Sequence, residues 1–213
     1  MRDLQIDSLI LDVDGTLWDS TGIVAGAWTQ ALLDSGCKGI TVTPQLLKSL
    51  FGKTMDVIAD HLVPNLPKEE RKRLMDNCCV YEHQALEADE CRICYSGVCE
   101  TIQKLSEAVP VCIVSNCQSG YIELFLEKTG LGPYITDTEC FGNTGKNKGE
   151  NIRLVAERNH FRAPVYVGDT QGDAEASAEA GIPFVFASYG FGHPERADVV
   201  IETFEDLLKL IGR

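Results

Sequence analysis

The chain lacks the marks of a membrane or nucleic-acid protein. No apolar run approaches the roughly 20 residues that span a bilayer. Met1-Arg2-Asp3-Leu4-Gln5 does not lead into the apolar core of a secretory signal. Positive charge is scarce: 19 Lys and Arg stand against 32 Asp and Glu, a net charge of −13. Such a surface repels phosphate backbones and argues against nucleic acid as a partner. The four histidines, His61, His83, His160 and His193, show no pairing in the sequence. Internal repeats and low-complexity segments are absent. These absences point to a soluble cytoplasmic protein acting on a small molecule, with monomer and homodimer both open.

What is present is ordinary globular composition: 213 residues, 44% hydrophobic and 24% charged. That length suits one substantial domain, or a core domain with a small insert. Nine cysteines, an odd number and scattered, read as reduced and mostly buried thiols rather than a disulfide framework.

Short, wholly apolar runs mark strands buried on both faces. Leu9–Leu11, Val111–Val114, Val165–Val167, Phe184–Phe186 and Val199–Ile201 are of this kind, and Glu139–Phe141 is a weaker candidate. Helical patterns separate them: Val98–Ala108, Tyr121–Lys128, Glu150–Asn159, Ala174–Ala180 and Glu205–Ile211. This alternation predicts a doubly wound parallel sheet of the Rossmann-like kind, with helices on both faces. One region breaks it. Residues 21–88 read as helices with no strand signal: Ile23–Ser35, a helix opened by Thr43-Pro44, Met55–Leu62 and Lys68–Ala88.

In such sheets ligands sit beyond the carboxyl ends of the strands, so the polar residues that follow each apolar run should converge. Asp12 and Asp14 follow the first run, Ser115 and Asn116 the second, and Gly168-Asp169 through Asp173 the third. Lys146 and Lys148 lie in a basic loop between the last two. Gathered carboxylates repel one another unless a cation or proton joins them. Asp12 and Asp169, with Asp173, suit a hard divalent ion such as Mg²⁺. The ion would let one carboxylate attack phosphorus, while an ammonium and Ser115 neutralise phosphoryl oxygens. The chemistry the set fits is phosphoryl transfer.

This constellation resembles the haloacid dehalogenase superfamily. Asp12-Val13-Asp14-Gly15-Thr16 matches its DxDGT motif, Ser115 its strand-end hydroxyl, a loop lysine its third motif, and Gly168-Asp169 through Asp173 its GDxxxD motif. The resemblance runs from about Ser8 to Ile211. It implies Asp12 as nucleophile and Asp14 as general acid, then base. It implies Mg²⁺ on the Asp12 carboxylate, the Asp14 backbone carbonyl and Asp169, with Asp173 direct or through water. It also makes residues 21–88 an all-helical cap inserted in a core of residues 1–20 and 89–213, hinged at Asp19–Thr21 and Ala88–Ser96. Lys53, in Phe51-Gly52-Lys53-Thr54, resembles a cap-loop substrate contact. Lys148, entering a helix through Gly-Glu-Asn-Ile, is favoured over Lys146 as the motif lysine; Asn116 would orient the leaving group or the loop.

The resulting expectation is a Mg²⁺-dependent phosphatase of a small phosphorylated metabolite, phosphoglycolate being the favourite within the subfamily. A sugar-phosphate mutase shares every motif, although Thr16 fits the phosphatase form better. A non-catalytic phosphometabolite sensor is disfavoured by the intact acid set. Cys91-x-x-Cys94, with Cys99 and His83, supplies only one short ligand pair, so these residues read as thiols at the cap–core junction rather than zinc ligands.

Overall fold

The computed structural model describes residues 5–90 and 92–211. Six parallel strands form one sheet in the order β3-β2-β1-β4-β5-β6. They are β1 (Ser8–Leu11), β2 (Val111–Ser115), β3 (Asp137–Cys140), β4 (Pro164–Gly168), β5 (Phe184–Ala187) and β6 (Val199–Ile201). The chain builds outward from β1 through β2 to β3, then returns to β1's other side with β4. The switch point therefore lies beside β1, with Leu9 in register with Val111 on one flank and Val165 on the other.

The apolar runs become central strands because both faces are covered. Ile10, Cys112, Val114 and Tyr166 pack on one face with Ile152, Val155 and Ala176. Those residues belong to α8 (Lys148–Arg158) and α9 (Gln171–Ala180). Leu9, Leu11, Ile113, Val165 and Val167 turn to the opposite face, as a side-chain period of two requires. There they meet α5 (Val98–Ser106) and α6 (Tyr121–Thr129).

Between β1 and β2 stand four helices: α1 (Thr21–Asp34), α2 (Pro44–Leu50), α3 (Met55–Leu62) and α4 (Lys68–Ala88). They form a helical cap. The Thr43 hydroxyl accepts the Leu46 N–H at 3.2 Å, and Pro44 opens α2 where its missing donor costs nothing. Trp28 and Leu47 from these helices, with Phe51 just past α2, join the same apolar cluster as the sheet residues Leu9 and Leu11.

Three sequence expectations shift. The third strand is Asp137–Cys140, and Phe141 instead begins a one-turn helix, α7 (Phe141–Thr144). The helix expected at Ala174 starts at Gln171, because Thr170 and Asp173 cap each other's backbone N–H groups. The closing helix is a 3₁₀ turn over Phe204–Asp206 running into α10 (Leu207–Ile211). Cys91 lies outside the described residues; Cys94 and Cys99 are half-buried and His83 is exposed.

Ile10 is fully buried on the central strand, whereas Val200 on edge strand β6 is 57% exposed. Ile10→Ala should lower the unfolding free energy by about 2–5 kcal/mol, and Val200→Ala by less than about 1 kcal/mol. Urea titration reads both. Equal losses at the two sites would contradict this packing.

Candidate active site

β1 ends at Leu11, and its next residue, Asp12, is buried at the switch point. Asp169 follows β4, and Asp173 lies in the first turn of α9; both are fully buried. One carboxylate oxygen from each of Asp12, Asp169 and Asp173 lies within 4.8 Å of the others. Lys148, in the first turn of α8 and 3% exposed, reaches into this group. Its Nζ is 2.6 Å from Asp173 Oδ1 and 3.0 Å from Asp12 Oδ1. The contact with Asp173 is a hydrogen bond. The contact with Asp12 is an ion pair off the hydrogen-bonding line, so Asp12 Oδ1 is buried without a hydrogen-bond donor. Lys146, by contrast, is exposed.

The backbone must pass very close to these acids. Gly15 has φ +80, and a methyl group there would collide with the Asp169 carboxylate. Glycine is thus required both by conformation and by space. Gly190, in the loop after β5, approaches Asp169 as closely. The next residue, Phe191, donates its N–H to Asp169 Oδ2 at 2.7 Å.

The acids differ in what they face. Asp173 Oδ2 accepts the Asp169 and Thr170 N–H groups and the Thr170 hydroxyl, while Oδ1 takes Lys148. Its oxygens are committed to capping α9 and anchoring the ammonium. Burial alone would raise its pKa, but Lys148 outweighs that and holds it low. Burial raises Asp12, against the pull of Lys148 and with the push of Asp173. Asp169 is raised by burial and by the charges of Asp173 and Asp12. Burial also opposes the charge on Lys148, yet Asp12 and Asp173 keep it firmly protonated.

Asp14 stands apart from this cluster. Its Oδ1 lies 2.8 Å from the Ser20 and Tyr121 hydroxyls and accepts the Trp18 indole N–H at 3.1 Å. Burial carries its pKa up to about 7 despite the Ser20 and Tyr121 hydrogen bonds. A carboxyl in that range can give and take protons near neutral pH.

Asp14 also borders a cavity beneath the cap, with about 30 Å³ of free space. Trp28, Phe51, Met55 and Ile58 supply its apolar wall; Ser115, Asn116, Lys53, Gln118 and Glu82 supply polar groups. Ser115 ends β2 and is buried. Asn116 Nδ2 donates to the cap's Gly52 carbonyl at 2.8 Å. Lys53 borders the cavity, but its Nζ donates to Ser49's carbonyl at 2.8 Å and the residue is exposed. Sequence reasoning missed Ser20, Tyr121, Phe191 and Glu82. The one available signal was Glu82, an acid among Cys78, Tyr81 and Leu86 on the packed face of a long helix.

Three buried carboxylates, one of them with an undonated oxygen, fit a divalent cation. With the ammonium and the neighbouring acid at a switch point, they define a metal-assisted hydrolase built on a parallel α/β sheet. The comparisons give the family. The model described as haloacid dehalogenase-like hydrolase matches residues 9–187, and the chain belongs to that family.

Curated relatives include the phosphoglycolate phosphatase of Pectobacterium atrosepticum, 26% identical over 97% of this chain and 93% of the relative. That of Escherichia coli K12 is 25% identical over the same shares. Among solved structures, a predicted phosphoglycolate phosphatase from Haemophilus somnus has TM-score 0.84 at 22% identity, covering 97% of this chain and 98% of its own. A β-phosphoglucomutase from Clostridium difficile has TM-score 0.77 at 17% identity, covering 98% of both chains. These likenesses extend the fold, cap included, beyond the matched region. Among the described residues no helix is long and apolar enough to cross a membrane. The acidic trio is also the one group of three or more candidate metal ligands found there, and it includes no cysteine.

Asp12, Asp14, Asp169 and Glu82 all have pKa values raised by burial. Groups raised on folding stabilise the fold while protonated, and that stability is lost as pH rises through their folded pKa values. With a chelator present, the melting temperature should fall from pH 6 to pH 8. A divalent ion held by Asp12 and Asp169 would compete with protons there, so added Mg²⁺ should raise the melting temperature more at pH 8 than at pH 6. Thermal denaturation with and without the ion checks both signs; a Mg²⁺ effect that is larger at pH 6 would contradict the site. At the ammonium, Lys148→Ala should abolish turnover and Lys146→Ala should leave it within about threefold, read by phosphate release.

Proposed function

We propose that this protein is a Mg²⁺-dependent phosphatase of small phosphorylated metabolites that works through an aspartyl-phosphate on Asp12. The observation that carries the reading is the buried Asp12–Lys148–Asp173 chain beside Asp169, with Asp14 held separately. Asp12 and Asp169 would hold the ion, with the Asp14 backbone carbonyl beside them and Asp173 contributing charge or a water-mediated contact. Bound there, the cation offsets the repulsion between these carboxylates and an incoming phosphate.

Asp12 then attacks phosphorus, and the bond from phosphorus to the ester oxygen breaks. Asp14, with a pKa of about 7, gives its proton to the departing alkoxide. Lys148 and Ser115 neutralise and hydrogen-bond the phosphoryl oxygens. In the second half, Asp14 takes a proton from water as that water attacks the phosphorus of the aspartyl-phosphate. Asp12 and inorganic phosphate are released. Trp18, Ser20 and Tyr121 hold the Asp14 carboxylate where both transfers occur.

Residues 21–88 act as a cap that hinges at residues 19–21 and 88–96, within which residue 91 is outside the described chain. Supporting this, cap and core meet through a few polar contacts at the site: Asn116 with Gly52, Gln118 with Glu82, and Lys48 with Asp19 at 2.7 Å. Cap residues Trp28, Phe51, Lys53 and Glu82 line the cavity, so movement of the cap would widen the way in for a leaving group. Asn116 joins cap to core, and Lys53 lies at the rim as a candidate substrate contact. The names of the curated relatives make 2-phosphoglycolate the first natural substrate to assay.

Purified protein with Mg²⁺ should release p-nitrophenol from p-nitrophenyl phosphate, and chelation should stop it. Asp12→Asn should lower the rate at least about 10³-fold, since the nucleophile is lost. Asp14→Asn should slow natural alkyl esters more than p-nitrophenyl phosphate, whose leaving group needs little protonation. Unchanged turnover in Asp12→Asn would overturn the mechanism.

A further inference from the structure

Glu82 has no role in the chemistry above. It projects from α4 into the cavity wall and is 3% exposed. Its Oε2 accepts the Trp28 indole N–H at 2.7 Å, and its Oε1 accepts Gln118 Nε2 at 3.0 Å. Both donors approach from protein, and among the described residues no cation forms an ion pair with the carboxylate. Each oxygen has two acceptor sites, so each keeps one free.

The other polar groups of the wall divide the same way. Asn116 Nδ2 is used by the Gly52 carbonyl, which fixes the amide's orientation. Its Oδ1 is buried and accepts nothing. The Tyr121 hydroxyl is engaged with Asp14 and Ser20. Among the described residues Lys53 is the one ammonium in the cavity lining; it is exposed and gives one of its three N–H groups to the Ser49 carbonyl. The buried part of the wall offers acceptors instead, Asn116 Oδ1 and the open sites on Glu82. A buried acceptor without a donor costs about 1–3 kcal/mol, so the wall favours a ligand that brings donors.

We propose that this cavity selects a phosphate ester whose leaving group ends in a hydrogen-bond donor, a hydroxyl or an ammonium, and rejects one ending in a carboxylate, with Glu82 as the specificity-determining residue. The proposal rests on the phosphatase reading and narrows its substrate. An ammonium pairs with the Glu82 carboxylate or donates to Asn116 Oδ1, both of which belong to residues lining the cavity. A hydroxyl donates to either acceptor. A carboxylate brings only further acceptors, so it leaves Asn116 Oδ1 without a donor, and it adds a like charge wherever Glu82 is ionised. The 2-phosphoglycolate of the relatives' names is such a ligand, so this chain and those relatives diverge in substrate.

Three esters with one two-carbon skeleton make the test: O-phosphoethanolamine, 2-hydroxyethyl phosphate and 2-phosphoglycolate. kcat/KM is measured for each with Mg²⁺, in wild type and in Glu82→Gln. At least one donor-bearing ester, the ammonium or the hydroxyl, should exceed 2-phosphoglycolate by tenfold or more, and their ranking identifies the donor. In Glu82→Gln that ratio should fall at least tenfold. A merely structural defect lowers all three esters together and leaves the ratio where it was, which would remove the role assigned to Glu82. A wild-type ratio near or below one overturns the proposal whether or not the variant folds. p-Nitrophenyl phosphate separates the two failures. Release from it alongside a preference for 2-phosphoglycolate sinks the selectivity alone; no release sinks the phosphatase reading as well.

Discussion

Everything in this molecule bends around the burial of like charges at one point. Asp12, Asp169 and Asp173 crowd within 4.8 Å in a place water does not reach. Burying even one unpaired carboxylate is costly, and three together are tolerable only with compensation. Lys148 supplies one positive charge between Asp12 and Asp173. The N–H groups of Asp169, Thr170 and Phe191 supply dipoles. The remaining deficit suits the site to a cation.

The surrounding fold is the apparatus that keeps those charges close. Parallel strands point all their carboxyl ends the same way, and the reversal beside β1 opens room there for side chains. Gly15 and Gly190 let the backbone lie against Asp169 with no side chain between. Asp173 serves twice, capping α9 and fixing Lys148, so the helix start and the ammonium position are a single structural fact. The second acid, Asp14, is isolated on three donors in a different wall. Two carboxylates two residues apart thereby acquire different surroundings, Asp12 beside an ammonium and two acids, Asp14 among neutral donors. The cap closes the other side and contributes its own buried acid, Glu82, to the cavity wall.

Much of this was legible in the chain. Leu9–Leu11, Val111–Val114 and Val165–Val167 announce buried strands because a strand covered on both faces has no polar side. Asp12 and Ser115 follow them directly and Asp169 one residue later, so topology alone delivers them to one edge. Met55–Leu62 and Lys68–Ala88 could be bounded to the residue, since Pro67 and the turn around Asn65 punctuate them. Where a boundary slipped, a local polar interaction overrode the apolar pattern: the Thr170–Asp173 capping box drew α9 forward, and the turn at Phe141 ended β3 early.

The sequence by itself determined the sheet, the helical insert and the strand-end acids, because these follow from hydrophobic period and from residues adjacent in the chain. Only the tertiary structure decided which lysine is buried against those acids, and that Asp173 holds it. It alone brought Trp18, Ser20 and Tyr121 around Asp14, and Trp28 and Gln118 onto Glu82. Those partners lie up to 107 residues apart. No periodicity connects them; packing of the cap and of α6 against the sheet does, and the hydrogen-bond demand of a buried carboxylate then selects which side chains meet.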